Sequence, residues 1–418
     1  MPPQPPPATR FRLSWSWLPW ALALAGCRAT LPEVELVESF PVETSLDQPD
    51  LRETQTVWLE AIAGAQRSID LAHFYFSDAP GSRLRPVIDA LLAAGRRGVA
   101  IRILADAGFE RTYPETLAEF RAAPGFEVRS YDLRARTGGA LHVKLLSVDG
   151  QRAFIGSQNF DYRSLEHIWE LGAYVHSADL VSDIDRVFEL DWYLAGHPEV
   201  SLEQALEDRP YRIGQVERVR VIGAGRDFGT ATARCVFSPK QALPRGLYWD
   251  LPDLGDAIEQ AEGRLRIAAL SFQSELGPGA TDWLLPPAIL RAAARGVEVR
   301  ILVADWNKRQ SRVGALQKLA EVENVEVRFA VIPEWSGGFQ PFSRVAHSKL
   351  LVVDERRAWI GTGNFSPDYF YESRNAGLFL EGQGPSRRLA AQFDALWDSA
   401  YAEPVDPQAS YTPRRYAE

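Results

Sequence analysis

Apolar positions along this chain switch repeatedly between a helical and a strand-like period. Thr54 to Gln66 has helical spacing, and Ser68 to Phe76 reads as a strand. Leu84 to Ala94 is helical again and is stopped by Gly95-Arg-Arg-Gly98. Val99 to Leu104 reads as a buried strand, Tyr113 to Ala122 as a helix and Phe126 to Tyr131 as a strand, and Thr137-Gly-Gly139 breaks the chain. A strand at Glu170 to His176 and a helix from Ala178 to Leu194 complete the series. Such alternation predicts an α/β sandwich, with helices on both faces of a sheet.

The series then starts again. Ala257 to Ala261 leads into a strand at Leu265 to Leu270, and Leu285 to Ala294 is helical. Arg295-Gly-Val-Glu-Val-Arg-Ile-Leu302 matches Arg97-Gly-Val-Ala-Ile-Arg-Ile-Leu104 almost residue for residue. A helix at Val313 to Val322, a strand at Val325 to Ile332, a break at Ser336-Gly-Gly338 and a closing helix at Arg387 to Ala400 follow. An internal duplication of this kind makes each half a domain and sets the site between them. The expected divisions are 51–198 for the first half, 199–244 for a connector, 245–405 for the second half and 406–418 for a tail.

Both halves carry one motif in register. The first reads His142-Val-Lys144, then Asp149, then Gly156-Ser157-Gln-Asn159; the second reads His347-Ser-Lys349, Asp354 and Gly361-Thr362-Gly-Asn364. The second lies 205 residues after the first at every one of these positions. Each motif offers an imidazole that can act as nucleophile, acid or base. Each also offers a lysine suited to a phosphate oxygen, and a hydroxyl (Ser157, Thr362) and an amide (Asn159, Asn364) able to donate to the same oxygens. Two facing sets would hold a phosphodiester between two histidines, one forming a phosphohistidine while the other protonates the leaving alcohol. Lysines and amides would stabilise the equatorial charge, so no metal and no cofactor is expected.

Leu141, Val143 and Leu145 alternate with His142 and Lys144, which places the histidine and lysine on one strand face. Asp149-Gly150 is a hairpin turn signal, with Arg152 to Ile155 as the return strand; the second copy turns through Asp354-Glu355 without a glycine. Each aspartate lies seven residues past its histidine, so Asp149 and Asp354 join the catalytic set as orienting groups or turn caps rather than proton shuttles.

Composition adds little for the body of the chain, with 46% apolar and 24% charged residues, but the N-terminus stands apart. Arg10 and Arg12 precede an apolar run, Trp15 to Leu24, too short to span a bilayer comfortably and interrupted by Pro19. It ends in Leu24-Ala-Gly-Cys27, which resembles the lipobox of bacterial lipoproteins. That resemblance implies a signal peptide over 1–26, a lipidated Cys27 and a location in the bacterial cell envelope, membrane-anchored and facing the periplasm or exterior. Residues 27–50, rich in Pro, Glu and Thr, read as a tether, with structure beginning near Arg52. Removal of 1–26 takes the formal net charge from −9 to −11 and leaves Cys235, expected to be a small buried hydrophobe, as the other cysteine.

The paired motifs resemble those of the phospholipase D superfamily over nearly all of residues 50–405. The resemblance implies two α/β halves about a pseudo-twofold with one shared active site. It makes His142, Lys144, Asn159, His347, Lys349 and Asn364 the catalytic and phosphate-binding positions, with His142 as nucleophile. Arg344-Val-Ala-His347, Gly361 to Phe370 and Leu396 to Tyr401 look like the animal lysosomal branch, associated with 5′-exonuclease action and lipid transphosphatidylation. Phe160-Asp-Tyr-Arg-Ser164 through Glu170-Leu-Gly172 resembles bacterial cardiolipin synthases. Glu170 falls where the family places a carboxylate that contacts a catalytic histidine. The matching position in the second half is Asn375, an amide, with Glu372 near enough to substitute.

His73, Tyr75 and Phe76 are expected to be wall or packing residues near the site, with substrate contact as the alternative, and His167, His176 and His197 surface or packing residues. Trp335, Phe339, Phe342, Tyr369, Phe370 and Tyr371 form the best candidate rim, able to stack bases or receive acyl chains. Arg83, Arg85, Arg96 and Arg97 read as an ordinary charged surface. The anchor and the mature charge favour a phospholipid substrate, since −11 repels polyanions; the lysosomal-branch resemblance favours nucleic acid as the alternative.

Overall fold

The two repeats fold into sheets of one plan. The computed structural model describes residues 1–4, 31–274 and 283–416. In it the first half contains β1 (Glu33–Ser39), β2 (Ser68–His73), β3 (Ala100–Asp106), β4 (Phe126–Tyr131), β5 (Lys144–Val148), β6 (Arg152–Gly156) and β7 (Ile168–His176). The second contains β8 (Asp227–Ser238), β9 (Arg264–Ala269), β10 (Glu298–Ala304), β11 (Val325–Ala330), β12 (Leu350–Val353), β13 (Arg357–Gly361) and β14 (Asn375–Glu381). The first sheet runs β1-β7-β6-β5-β2-β3-β4 and the second β8-β14-β13-β12-β9-β10-β11. In each, the last two pairings are parallel and the others antiparallel. Four helices serve each half: α1 (Thr54–Ala63), α2 (Arg85–Arg96), α3 (Glu115–Ala122), α4 (Ala178–Gly196), then α5 (Asp250–Glu259), α6 (Leu285–Ala294), α7 (Gln310–Ala320) and α8 (Gln383–Trp397).

Burial follows the period. Leu146 and Val148 of β5 face an outer core under α1 and α2, while Leu145 joins a central core that also takes Leu350 and Ile360 from the second half. The same central core receives Leu180, Ile184 and Phe188 of α4 and Leu389, Phe393 and Leu396 of α8. The halves are thus joined by shared apolar burial, the largest favourable term in folding. Cys235 is buried in this core, with its Sγ near the Leu180 carbonyl.

Two expected boundaries are corrected. Residues 27–50 are not simply a tether, because Glu33–Ser39 is a full strand, β1, on the outer side of β7. The connector is likewise not a bare linker: it holds a strand at Glu217–Ile222 and all of β8, which is the counterpart of β1 in the second half. The registers match, with Ser39 opposite Glu170 and Ser238 opposite Asn375. The strand at Glu217–Ile222 pairs with both β1 and β8 and so bridges the sheets. Prolines and glutamates disguised β1. Glu35 is paired with Arg52, while Glu38 accepts from Gln48 N at 2.6 Å and from Gln392 Nε2 at 2.9 Å. Charges satisfied in this way can lie in a covered strand. Residues 5–30, which include the apolar run, the end of the expected signal peptide and Cys27, lie outside the described residues.

Asp149 and Asp354 are turn caps and do not reach the site. Asp149 with Gly150, and Asp354 with Glu355, take left-handed backbone at the tips of the β5–β6 and β12–β13 hairpins. The Asp149 carboxylate accepts from the amides of Gln66 at 3.0 Å, Arg67 at 2.7 Å and Ser68 at 2.9 Å; Asp354 accepts from Glu262, Gly263 and Arg264, each at 2.8 Å. Those bonds let the glycine-free second turn form. Burial works against the Asp149 charge, but the three amides outweigh it and hold the carboxyl below its ordinary value. Its stabilisation is therefore present above the unfolded pKa of about 3.9 and is lost as pH falls through the lower folded value. Asp149→Asn tolerates the left-handed backbone and removes the charge. It should cost ~1–3 kcal/mol at neutral pH, read as a urea midpoint shift, with kcat unchanged; a kcat loss without a midpoint shift would return Asp149 to the site.

Candidate active site

The two motifs meet through crosswise backbone pairing. Leu141 bridges Arg374, and Ile168-Trp169 pairs with Val345-Ala346, so each half grips the other just before its histidine. His142 N donates to the Arg374 carbonyl at 3.0 Å, and His347 N donates to the Trp169 carbonyl at 2.9 Å. The histidines sit at the mouths of β5 and β12 rather than within them, because regular pairing begins at Lys144 and Leu350.

The rings are held crosswise as well. His347 Nδ1 lies 2.7 Å from Glu170 Oε1, and His142 Nδ1 lies 3.0 Å from Asn375 Oδ1. The amide at Asn375, and not Glu372, therefore occupies the position matching Glu170. Glu372 lies instead against Gly138, where its carboxylate would meet any added Cβ. Asn375 is locked in one orientation. Its Nδ2 donates to the carbonyls of Tyr369 at 2.7 Å and Ser373 at 3.2 Å, and its Oδ1 accepts from Thr362 Oγ1 at 2.9 Å. An amide oxygen cannot donate, so His142 Nδ1 must carry the proton and a neutral ring keeps its lone pair on Nε2. Arg374 fixes the segment: fully buried, it pairs with Asp191 at 2.7 Å and donates to the Ser238 and Ala242 carbonyls.

Both lysines are buried, and each Nζ donates to the carbonyl of its own motif's histidine at 2.5 Å. Phe74 and Tyr369 pack against the His142 ring with centroids at 4.8 and 4.9 Å, and Lys144 lies over Phe74 at 5.1 Å. His142 and His347 retain only 5% and 7% exposure, so the opening is narrow. Burial depresses the proton affinity of both lysines, and Lys349 depresses that of Lys144 further. Burial and the two lysines lower both histidines. Burial raises Glu170 to about 8 against the pull of Lys349 and Lys144. Below that pH the Glu170–His347 pair holds two protons, one between Oε1 and Nδ1 and one on Nε2, and it titrates as a unit. The pocket thus offers one bare nitrogen, one N–H donor and two lysines facing one carboxyl group.

Ser157 and Thr362 do not line the site as phosphate donors. Ser157 Oγ donates to the Leu171 carbonyl and accepts its amide at 3.3 and 3.1 Å; Thr362 Oγ1 accepts from Ala376 N at 3.1 Å and donates to Asn375. Their hydroxyls pin the residues beside Glu170 and Asn375. Asn159 Nδ2 bonds the Tyr75 hydroxyl at 3.3 Å, and Asn364 bonds that of Tyr369. Tyr75 in turn donates to the buried Asp161, which is paired with Arg163. Sequence marked Tyr75 as a wall residue and Tyr369 as part of the rim but did not join them to the asparagines, because they lie on unmatched positions of the repeats. His73 is fully buried beside Lys144 in the strand ladder, a wall residue. His167 packs on Trp335, His176 on Tyr174 and His197 on Tyr193. The expected rim divides: Phe370 is core, and Tyr371 packs on Trp249. Arg83 pairs with Glu53, and Arg85 with Asp78, Asp89 and Glu119, as a charged surface would.

A family model described as "Cardiolipin synthase, PLD-like domain" matches residues 58–192 and 254–397, one stretch in each half. The chain belongs to the phospholipase D superfamily. As a member it is an enzyme of the phosphodiesterase type. This phospholipase D-like chain is 31% identical to "Phospholipase D Z" of Dictyostelium discoideum over 89% of its own length and 90% of the relative's. It is also 31% identical to the "5'-3' exonuclease PLD3" of Bos taurus, over 90% and 81%. In fold it is similar to the phosphatidylserine synthase of Haemophilus influenzae Rd KW20, with a TM-score of 0.62 at 13% identity, covering 90% of this chain and 89% of that one.

Glu170→Gln tests the buried carboxylate. A folded pKa raised to about 8 means the folded state holds the proton more tightly than the unfolded. That stabilisation is complete below the unfolded value of about 4.3 and is lost as pH rises toward the folded one. Wild-type Tm should fall relative to the glutamine variant as pH is raised between those values, then run parallel above. Parallel profiles throughout would show that burial does not penalise Glu170.

Proposed function

We propose that this enzyme cleaves terminal phosphodiesters of single-stranded nucleic acid through a phosphohistidine on His142. The locked amide of Asn375 carries the assignment: it requires Nδ1–H on His142 and so presents Nε2 as the attacking lone pair. Nε2 bonds to phosphorus while the bond to the leaving oxygen breaks, and His347 Nε2–H gives that oxygen its proton. Lys144, Lys349 and the amides of Asn159 and Asn364 take the charge on the remaining phosphate oxygens. His347 then accepts a proton from the incoming water or alcohol as it attacks phosphorus and the P–N bond breaks.

The substrate class rests on the mouth. Tyr75 stacks on Tyr113 at 5.0 Å and on Phe109 at 5.8 Å, and these half-buried rings continue from Phe74 beside His142. Flat rings beside a phosphate site suit base stacking. The second reading is transfer or hydrolysis at phospholipid head groups, supported by the 31% identity to "Phospholipase D Z". A lipid anchor at Cys27, in the bacterial envelope, would belong with it. One assay in EDTA separates the two, with a 5′-hydroxyl oligonucleotide in one tube and phosphatidylglycerol plus an alcohol in the other. Nucleotide release is expected; phosphatidyl exchange without nucleotide release would overturn the choice.

The roles of the histidines separate by leaving group. His142→Ala should abolish turnover of every diester. His347→Ala should lose ~10²–10⁴ on alkyl esters but still release a burst from a nitrophenyl ester, whose leaving group departs without a proton. Radiolabelled phosphate should then remain on the denatured His347→Ala protein. A burst from His142→Ala and none from His347→Ala would reverse the assignment.

A further inference from the structure

Outside the reacting groups, two neighbouring arginines have no counter-ion among the described residues. Arg309 occupies the position before α7 without capping it and Arg312 lies in its first turn, and among the described residues no carboxylate pairs with either. Their basic neighbours are neutralised: Lys308 pairs with Glu403 at 2.7 Å and Arg414 with Asp305 at 3.3 Å. The Arg309 guanidinium lies 3.9 Å from the ring of Tyr416, which packs on Trp306 at 5.1 Å. The Tyr416 carbonyl accepts from Phe342 N at 2.6 Å, so the end of the chain is strapped onto the lip. Trp306 packs on the cluster of Ile168, Ala304 and Val345, beside His347. On the other side Arg312 lies within electrostatic reach of Tyr369, whose ring touches His142. Like charges three positions apart at one helix end repel, and Arg309 binds its proton less tightly through burial and through Arg312. An anion between them would relieve both.

We infer that Arg309 and Arg312 form a subsite for a second phosphate, the next along a strand whose terminal diester occupies the His142–His347 site. The inference rests on the nucleic-acid reading. Arginine forks match phosphate oxygens, and Tyr416 packs on the face of one fork while leaving its N–H edge to the ligand. A substrate with a single phosphodiester leaves the subsite empty, whereas one internucleotide unit more fills it.

The test measures inhibition of bis(nitrophenyl) phosphate turnover by a thymidine dimer, with one phosphodiester, and a trimer, with two. In the wild type the trimer should bind more tightly by about tenfold, the worth of a charged hydrogen bond. In Arg309→Ala/Arg312→Ala that ratio should fall to near one, and the salt slope of log Ki for the trimer should drop by about 0.7. Arg309→Lys should retain the slope and part of the ratio. The ratio is internal to each protein, so a general loss of folding does not mimic the result. An equal trimer advantage in wild type and double variant, or none in the wild type, would overturn the subsite while leaving the nucleic-acid reading intact. Failure of both oligomers to compete, with phosphatidylglycerol competing, would overturn that reading and the subsite with it.

Discussion

Each histidine of this enzyme is held by the half it does not belong to. The His142 amide and ring are bonded to Arg374 and Asn375, and those of His347 to Trp169 and Glu170. A half alone would therefore have a motif and no site. The shared apolar core serves the same end, because it fixes the distance between β5 and β12 to within the tolerance of a hydrogen bond. Geometry of that accuracy is what converts two side chains into a reacting pair.

The halves agree in backbone and differ in charge. A carboxylate against His347 lets that ring share a second proton near neutrality, while a neutral amide against His142 supplies orientation with no compensating charge. Burial and the two buried lysines bias both rings toward the neutral form, while burial raises Glu170 to about 8 and so keeps a proton in the Glu170–His347 pair. A symmetrical fold thus presents two chemically distinct imidazoles, as a reaction needing one base and one acid demands.

The polar residues around the site act mostly on one another. Ser157 and Thr362 hold strand residues, Tyr75 and Tyr369 hold the asparagine amides, and Arg374 with Asp191 anchors the turn that carries Asn375. Buried networks of this kind are rigid because any unmade bond costs the full desolvation of its group. The family's chemistry therefore depends on a shell considerably wider than the two motifs.

The sequence by itself determined the duplication, the strand and helix order and the paired motif positions, because a repeat offset of 205 residues leaves little to chance. It also marked Glu170 and Asn375 as unequal, since a carboxyl and an amide differ whatever surrounds them. Which histidine each one touches was decided by tertiary structure, as the partners lie 177 and 233 residues apart and no local period relates them. β1 was hidden for a similar reason: its glutamates look solvent-facing until Arg52, Gln48 and Gln392 are brought to them. The hydroxyls of Ser157 and Thr362 were read as ligand donors from residue type alone. Only the fold shows that the Leu171 amide and carbonyl reach the first, and the Ala376 amide and the Asn375 side-chain oxygen the second.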